Sequence, residues 1–186
     1  MLKRIFLILL FLSWAPVAGF AQDEDENEIK KHPGFFNLDE ISDILDDEPT
    51  VEIQLKGFLL RMVAGATRGS EPELSSMLRR LLLVRVEKYR LRRDDVERVV
   101  SKNNEIAKRL SKDGWEKIVR VREDRENVNV FVKPGEDRID GIVVLVVDNN
   151  REAVFVNIVG EIDPEQIGRL GGKWDIHGLD NLDFEF

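Results

Sequence analysis

The chain has 186 residues, with 36 Asp and Glu against 28 Lys and Arg, a formal net charge of -8 and no cysteine. The missing cysteine excludes disulfide stapling, thiolate metal sites, cysteine nucleophiles and lipoprotein acylation. The acidic balance argues against nucleic acid and anionic lipid as partners, because both need a basic face that displaces counterions.

Residues 1–21, MLKRIFLILLFLSWAPVAGFA, place Lys3 and Arg4 ahead of an apolar run from Ile5 to Leu12, then small residues with Gly19 and Ala21 in a cleavage-site pattern. That order is a secretory signal peptide and predicts export to the periplasm or out of the cell. A membrane span needs about 20 apolar residues. Ser13, Pro16 and the acidic stretch that follows argue for removal, so no stable span is expected after processing. Loss of Lys3 and Arg4 takes the net charge to -10 (-8 minus +2).

Residues 22–30, QDEDENEIK, are acidic and aperiodic, and read as a disordered leader. A single α+β domain is expected over 31–172, with a tail of acids and aromatics over 173–186. In NLDEISDIL, Asn37 and Glu40 stand in capping-box register ahead of Ile41, Ile44 and Leu45, which predicts a short helix. VEIQL (Val51 to Leu55) alternates like a strand. FLLRMVAGA is apolar nearly all round, as in a buried helix started after Gly57. Ser70 and Glu73, with Pro72 in the first turn, predict a further helix toward Arg80 whose Leu74, Met77, Leu78 and Leu81 face the core.

VRVEKYRL (Val84 to Leu91) returns to period two. Asp94 and Glu97 form another capping box, and Val96, Val99, Val100, Ile106, Ala107 and Leu110 share one helical face that ends at Asp113 and Gly114. Four strand-like segments follow: WEKIVRVRE, NVNVFVK, IDGIVVLVV and AVFVNIVG. Their short charged links predict an antiparallel meander, with Ile142 to Val147 central because it is apolar on both faces. The expected fold is therefore α+β, a mixed or antiparallel sheet with a four-strand meander in the C-terminal half and helices packed on one face. If the first strand-helix-strand unit pairs parallel, its crossover is right-handed.

Glu161, Asp163 and Glu165 lie within five residues and raise the question of a metal or catalytic site. Pro164 at the first helical position and Gln166 at the third make Asp163 an N-cap instead, with Gly171 and Gly172 ending the helix. The only histidines are His32 and His177. No serine lies in a GxSxG elbow, and GATRGS and GRLGG lack the spacing of phosphate-binding loops. No catalytic residue, metal site or cofactor is assigned.

The feature with binding chemistry is a set of side chains that strand parity places together. With Val119 and Val121 toward the core, Ile118, Arg120 and Arg122 fall on the opposite face. The next strand adds Asn129, Phe131 and Lys133, while Val128, Val130 and Val132 point inward, and Arg85 of the earlier strand joins the set. This face is suited to a carboxylate-rich envelope protein partner. On a solvated face the same arginines would simply pair with Glu87, Glu116 and Glu123 across strands.

KHPGF, GWEKIVRVRED, GIVVLVV and VNIVGEIDPEQIGRL together resemble the bacterial family known as domain of unknown function 4252, from about Lys31 to Leu170. The resemblance implies an exported α+β protein and brings no activity, cofactor or site residue. The function expected is a non-enzymatic binding or interaction module of the envelope, in stress sensing or signalling. The competing expectation is a small hydrolase or ligand-binding protein with a pocket between helices and sheet. The closing LDFEF alternates like a strand that adds to a peptide-reading domain.

Overall fold

The computed structural model describes residues 22–45, 47–123, 126–148 and 150–165. The elements in order are α1 (Gln22–Lys31), α2 (Asp39–Leu45), β1 (Val51–Lys56), α3 (Phe58–Thr67), α4 (Pro72–Leu78), β2 (Leu81–Arg90) and α5 (Val96–Lys112). Strands β3 (Glu116–Glu123), β4 (Glu126–Pro134), β5 (Ile139–Val147) and β6 (Glu152–Ile162) follow. They form one six-stranded antiparallel sheet in the order β1-β2-β6-β5-β4-β3. Strands β3 to β6 are the meander, and β5 and β6 hold the centre, where strands apolar on both faces belong.

One face is built from the longest helix. Val99, Ile106, Ala107 and Leu110 of α5 recur at helical spacing and are buried. They pack with Leu38, Ile41 and Leu45 against Tyr89, Phe131, Val143, Leu145, Val147, Ala153 and Phe155 of the sheet. Full burial of each large side chain contributes about 1.5–3 kcal/mol, which makes this cluster the main source of stability. The helix ends where the sequence said it would. The N–H of Trp115 donates to the carbonyl of Leu110 at 3.0 Å and Gly114 takes φ 77°, a left-handed closure that favours glycine.

The short helices go to the other face. Leu60 of α3 and Leu78 of α4 join Leu55, Val84, Ile142 and Ile158 in a second cluster. The two helices return the chain beside the strand it left, so β1 and β2 pair antiparallel and no right-handed crossover arises. Helix α3 is not buried all round: Leu60 and Ala64 are covered, while Phe58 is 67% exposed and Leu59 and Met62 are also open. Glu71 occupies the N-cap of α4 and makes no side-chain cap bond, and Ser70 donates instead to the carbonyl of Thr67, so the expected capping box does not form.

The acidic leader differs from expectation. Residues 22–31 are helical because tertiary contacts support them: Ile29 is buried with Leu83 and Val159, and Glu26 pairs with Lys30 and with Lys56 of β1. The following HPGF turn lies directly on the sheet. A side chain on Gly34 would collide with the carbonyl of Asp140, and one on Gly141 with the backbone of Gly34, so the two chains approach this closely only because both residues are glycine.

Candidate functional site

Strand parity puts the candidate residues on one face, and packing then separates them. Register pairs Arg120 with Asn129, Lys117 with Phe131 and Phe131 with Val143, while Arg85 pairs with Asn157. All share the face covered by α2 and α5. Phe131 and Asn129 are buried there, whereas Val119, Val121, Val128 and Val130, expected to point to the core, are half-buried on the other side, where of that set only Val132 is buried. A bulge between Lys117 and Val119 sends Ile118 to the second cluster, away from Arg120.

Arg85 lies on β2, four strands from Arg120 and Arg122 on β3 and thus about 19 Å away. It does not join them. Its guanidinium contacts Asp39 and Glu87, each at 2.6 Å. Burial opposes its charge, but the hydrogen bond to Asp39 and the negative charge of Glu87 raise its pKa above the ordinary arginine value. Glu87 is buried and accepts a bond from the Tyr89 hydroxyl at 2.8 Å, so this ion pair is a structural core element.

What remains exposed is a short basic edge. Arg120 and Arg122 are open on β3, with Arg122 donating to Asn104 at 2.8 Å, and the Lys117 ammonium lies 5.1 Å from the centre of the Phe131 ring. Burial, then the charges of Arg120 and Arg122, hold the Lys117 pKa below the usual lysine value. Lys133 is tied to the carbonyl of Asp113 at 2.6 Å.

Buried asparagines line the covered face, and of these sequence reasoning singled out only Asn129. Asn157 accepts from the Phe36 N–H at 3.0 Å and donates to the carbonyls of Gly34 and Ile142, which fastens the HPGF segment to the sheet. Asn129 donates to Asn127 at 2.7 Å. Neither the oxygen nor the nitrogen of the buried Asn103 amide has a partner among the described residues. Each was legible in spacing: Asn157 has the parity of Phe155 and Val159, and Asn103 lies on the α5 stripe.

Carboxylates in these regions are engaged structurally. The Glu165 N–H donates to Asp163 at 2.9 Å, and Glu161 pairs with Arg138 at 2.7 Å. The N-cap role expected of Asp163 is thus the one seen; the rest of that helix, with His177 and the tail, lies outside the described residues. A cleft of about 200 Å³ is lined by Leu45, Asp47, Glu48, Thr50, Tyr89 and Asp95 among others. It is smaller than ordinary small-molecule sites, which begin at about 300 Å³. Asp95 is held by Arg92 and Arg98, each at 2.8 Å; the Arg92 hydrogen bond leads in keeping its pKa below the usual value. His32 accepts the Gly34 N–H in the HPGF turn. Among the described residues no group of three His, Asp or Glu side chains is placed to hold a metal ion.

Among the described residues, the less covered surface is on the opposite face. One row runs Ile53, Val86, Val156, Val144, Val130 and Val119, with one residue from every strand in the order of the sheet. The next row is Val51, Lys88, Val154, Val146, Val128 and Val121, and Lys88 pairs with Glu152 at 2.6 Å. The eleven aliphatic residues in these rows are all only half-buried, and none of the core clusters includes any of them. A contiguous apolar surface of this kind marks an interaction site more often than an isolated exposed side chain does.

Comparison with curated proteins and with solved structures returned no match. Residues 43–170, which are more than half of the chain and contain the whole sheet with helices α3, α4 and α5, match the family described as Domain of unknown function (DUF4252), and the protein belongs to that family.

Proposed function

We propose that this protein is an exported, non-enzymatic interaction module that binds a macromolecular partner through the open aliphatic face of its sheet. The observation that carries this reading is the pair of rows across all six strands, eleven β-branched side chains left half-buried. Removing them from water would contribute roughly 25 cal/mol for each Å² covered, a driving force left unused among the described residues. The basic edge at Arg120 and Arg122 supplies a polar border suited to orienting a partner, and border charges tune the rate of encounter more than affinity.

The pocket reading has less support, because the cleft beside Tyr89 is small and its Asp95 is occupied by two arginines. Export rests on Lys3, Arg4 and the apolar run Ile5 to Leu12. No helix among the described residues is long and apolar enough to cross a membrane.

The test is crosslinking of an epitope-tagged chain in the cell that makes it, followed by mass spectrometry of the captured material. Export predicts an N-terminus at Gln22 in the recovered protein. The binding reading predicts that capture is lost with Val144→Asp, whose side chain is half-buried, and kept with Arg120→Glu plus Arg122→Glu, though more slowly formed. Unchanged capture with a folded Val144→Asp chain would overturn it.

A further inference from the structure

Gln22 opens helix α1 and directly follows Ala21, the last residue of the cleavage-site pattern. Cleavage at that bond makes Gln22 the first residue of the exported chain and sets its α-amine free. Glutamine in that position has a chemistry of its own. The amine nitrogen and the Cδ of the side-chain amide are the two ends of an unstrained five-membered ring, whereas an aspartate such as Asp23 could form only a strained smaller one.

The fold accommodates such a ring, because what holds α1 lies further along the helix. Glu26 pairs with Lys56 of β1 at 3.1 Å, and Ile29 is buried with Leu83 and Val159 on the face that α5 covers. At 1.5 Å per residue Ile29 stands about 10 Å along the axis from Gln22. Ring closure consumes only the amine and the amide of Gln22, so it costs neither contact. Loss of residues from the amino end, in contrast, would remove Glu26 and then Ile29, and so uncover Leu83 and Val159.

We infer that Gln22 is a modification site, at which the free amine closes on the residue's own side-chain amide to give a pyroglutamyl end. The inference rests on the export reading above, since only cleavage after Ala21 creates the amine. The amine nitrogen gives up a proton and bonds to Cδ; the Cδ–Nε2 bond breaks, and Nε2 leaves as ammonia, which takes up that proton. No oxidant, reductant or co-reactant enters, so the step needs only time or an envelope enzyme of the glutaminyl cyclase class. The product has no free amine for an aminopeptidase to engage. Closure therefore protects α1, and with it the cover over Leu83 and Val159, in the compartment that export reaches.

The test is amine labelling of the full chain, captured from the cell that makes it, before any digestion, because a peptide that begins with glutamine also closes during handling. Mass spectrometry then reads the amino-terminal peptide. The expected result is an unlabelled peptide beginning at residue 22 and lighter than the encoded one by one ammonia. With Gln22→Ala the same end should carry the label, and an added aminopeptidase should shorten that chain while leaving the natural one whole. A labelled Gln22 overturns the ring and leaves cleavage after Ala21 standing. An amino-terminus at any other residue overturns the cleavage site and the ring together. Equal resistance or equal shortening of the two chains overturns the protective role. The readings on the natural chain decide the modification whether or not the Gln22→Ala chain is exported.

Discussion

The two faces of the sheet differ in how they are finished. The face under α2 and α5 carries aromatic and long aliphatic side chains that are fully covered, together with an ion pair and three asparagines, Asn127, Asn129 and Asn157, held among them. The opposite face carries aliphatic, mostly β-branched side chains: Leu55, Val84, Ile158, Ile142, Val132 and Ile118, one from each strand, cluster with Leu60 of α3 and Leu78 of α4, and the next two rows are half-buried. The first face contains the features that select a single fold, namely varied shapes and buried polar groups that must meet their partners. The second is nearly uniform, with Lys88 and its partner Glu152 as the ion pair among its valines, which suits a surface that must match another surface. Apolar composition therefore does not say which face is inside; volume and polar satisfaction do.

The sharpest way to break this contrast is truncation on each face in turn. Phe155→Ala, at a side chain with no exposed surface, should destabilise the chain by about 3–5 kcal/mol, and Val144→Ala by about 1 kcal/mol or less, both read by denaturant unfolding. Similar losses at both positions would mean that the open face is a second core covered within the chain. A smaller effect of opposite sign tests the covered face. Asn103→Leu removes a buried amide without partners, so the variant should be more stable by about 1 kcal/mol, seen as a higher melting temperature. A loss of stability would show that the Asn103 amide is satisfied after all, as by a trapped water.

The smallest effect lies at the basic edge. The Lys117 pKa is depressed in the fold, so near that pKa the folded chain binds fewer protons than the unfolded one. The contribution of Lys117 to stability thus rises with pH between its folded value and the ordinary lysine value of about 10.4. Arg120→Gln removes one of the charges responsible and should flatten that rise relative to the unmodified chain, as measured by unfolding between about pH 8 and 10. An unchanged pH profile would leave burial and the charge of Arg122 as the causes.

Much of this was legible in residue order. The amphipathic stripe of α5, the meander of β3 to β6, the central place of β5 and the N-cap at Asp163 all depend on spacing of a few residues. So did the partition of strand residues into an arginine, asparagine and phenylalanine set and a valine set, since parity along a strand is a local property. The leader was misread because its helix has little support of its own: Ile29 and Glu26 find their partners on β1, β2 and β6, far along the chain. Arg85 was misplaced for a similar reason, because parity fixes a face but not the distance along the sheet.

By itself, then, the sequence determined the elements, their order and which side chains travel together, because helix and strand periodicities are set by the local backbone. Tertiary structure alone decided that α5 would settle over Phe131 and Phe155 and leave the valines outside. A helix of this size can cover only one face of the sheet, and the face with the larger side chains gains more from being covered, about 25 cal/mol for each Å² buried.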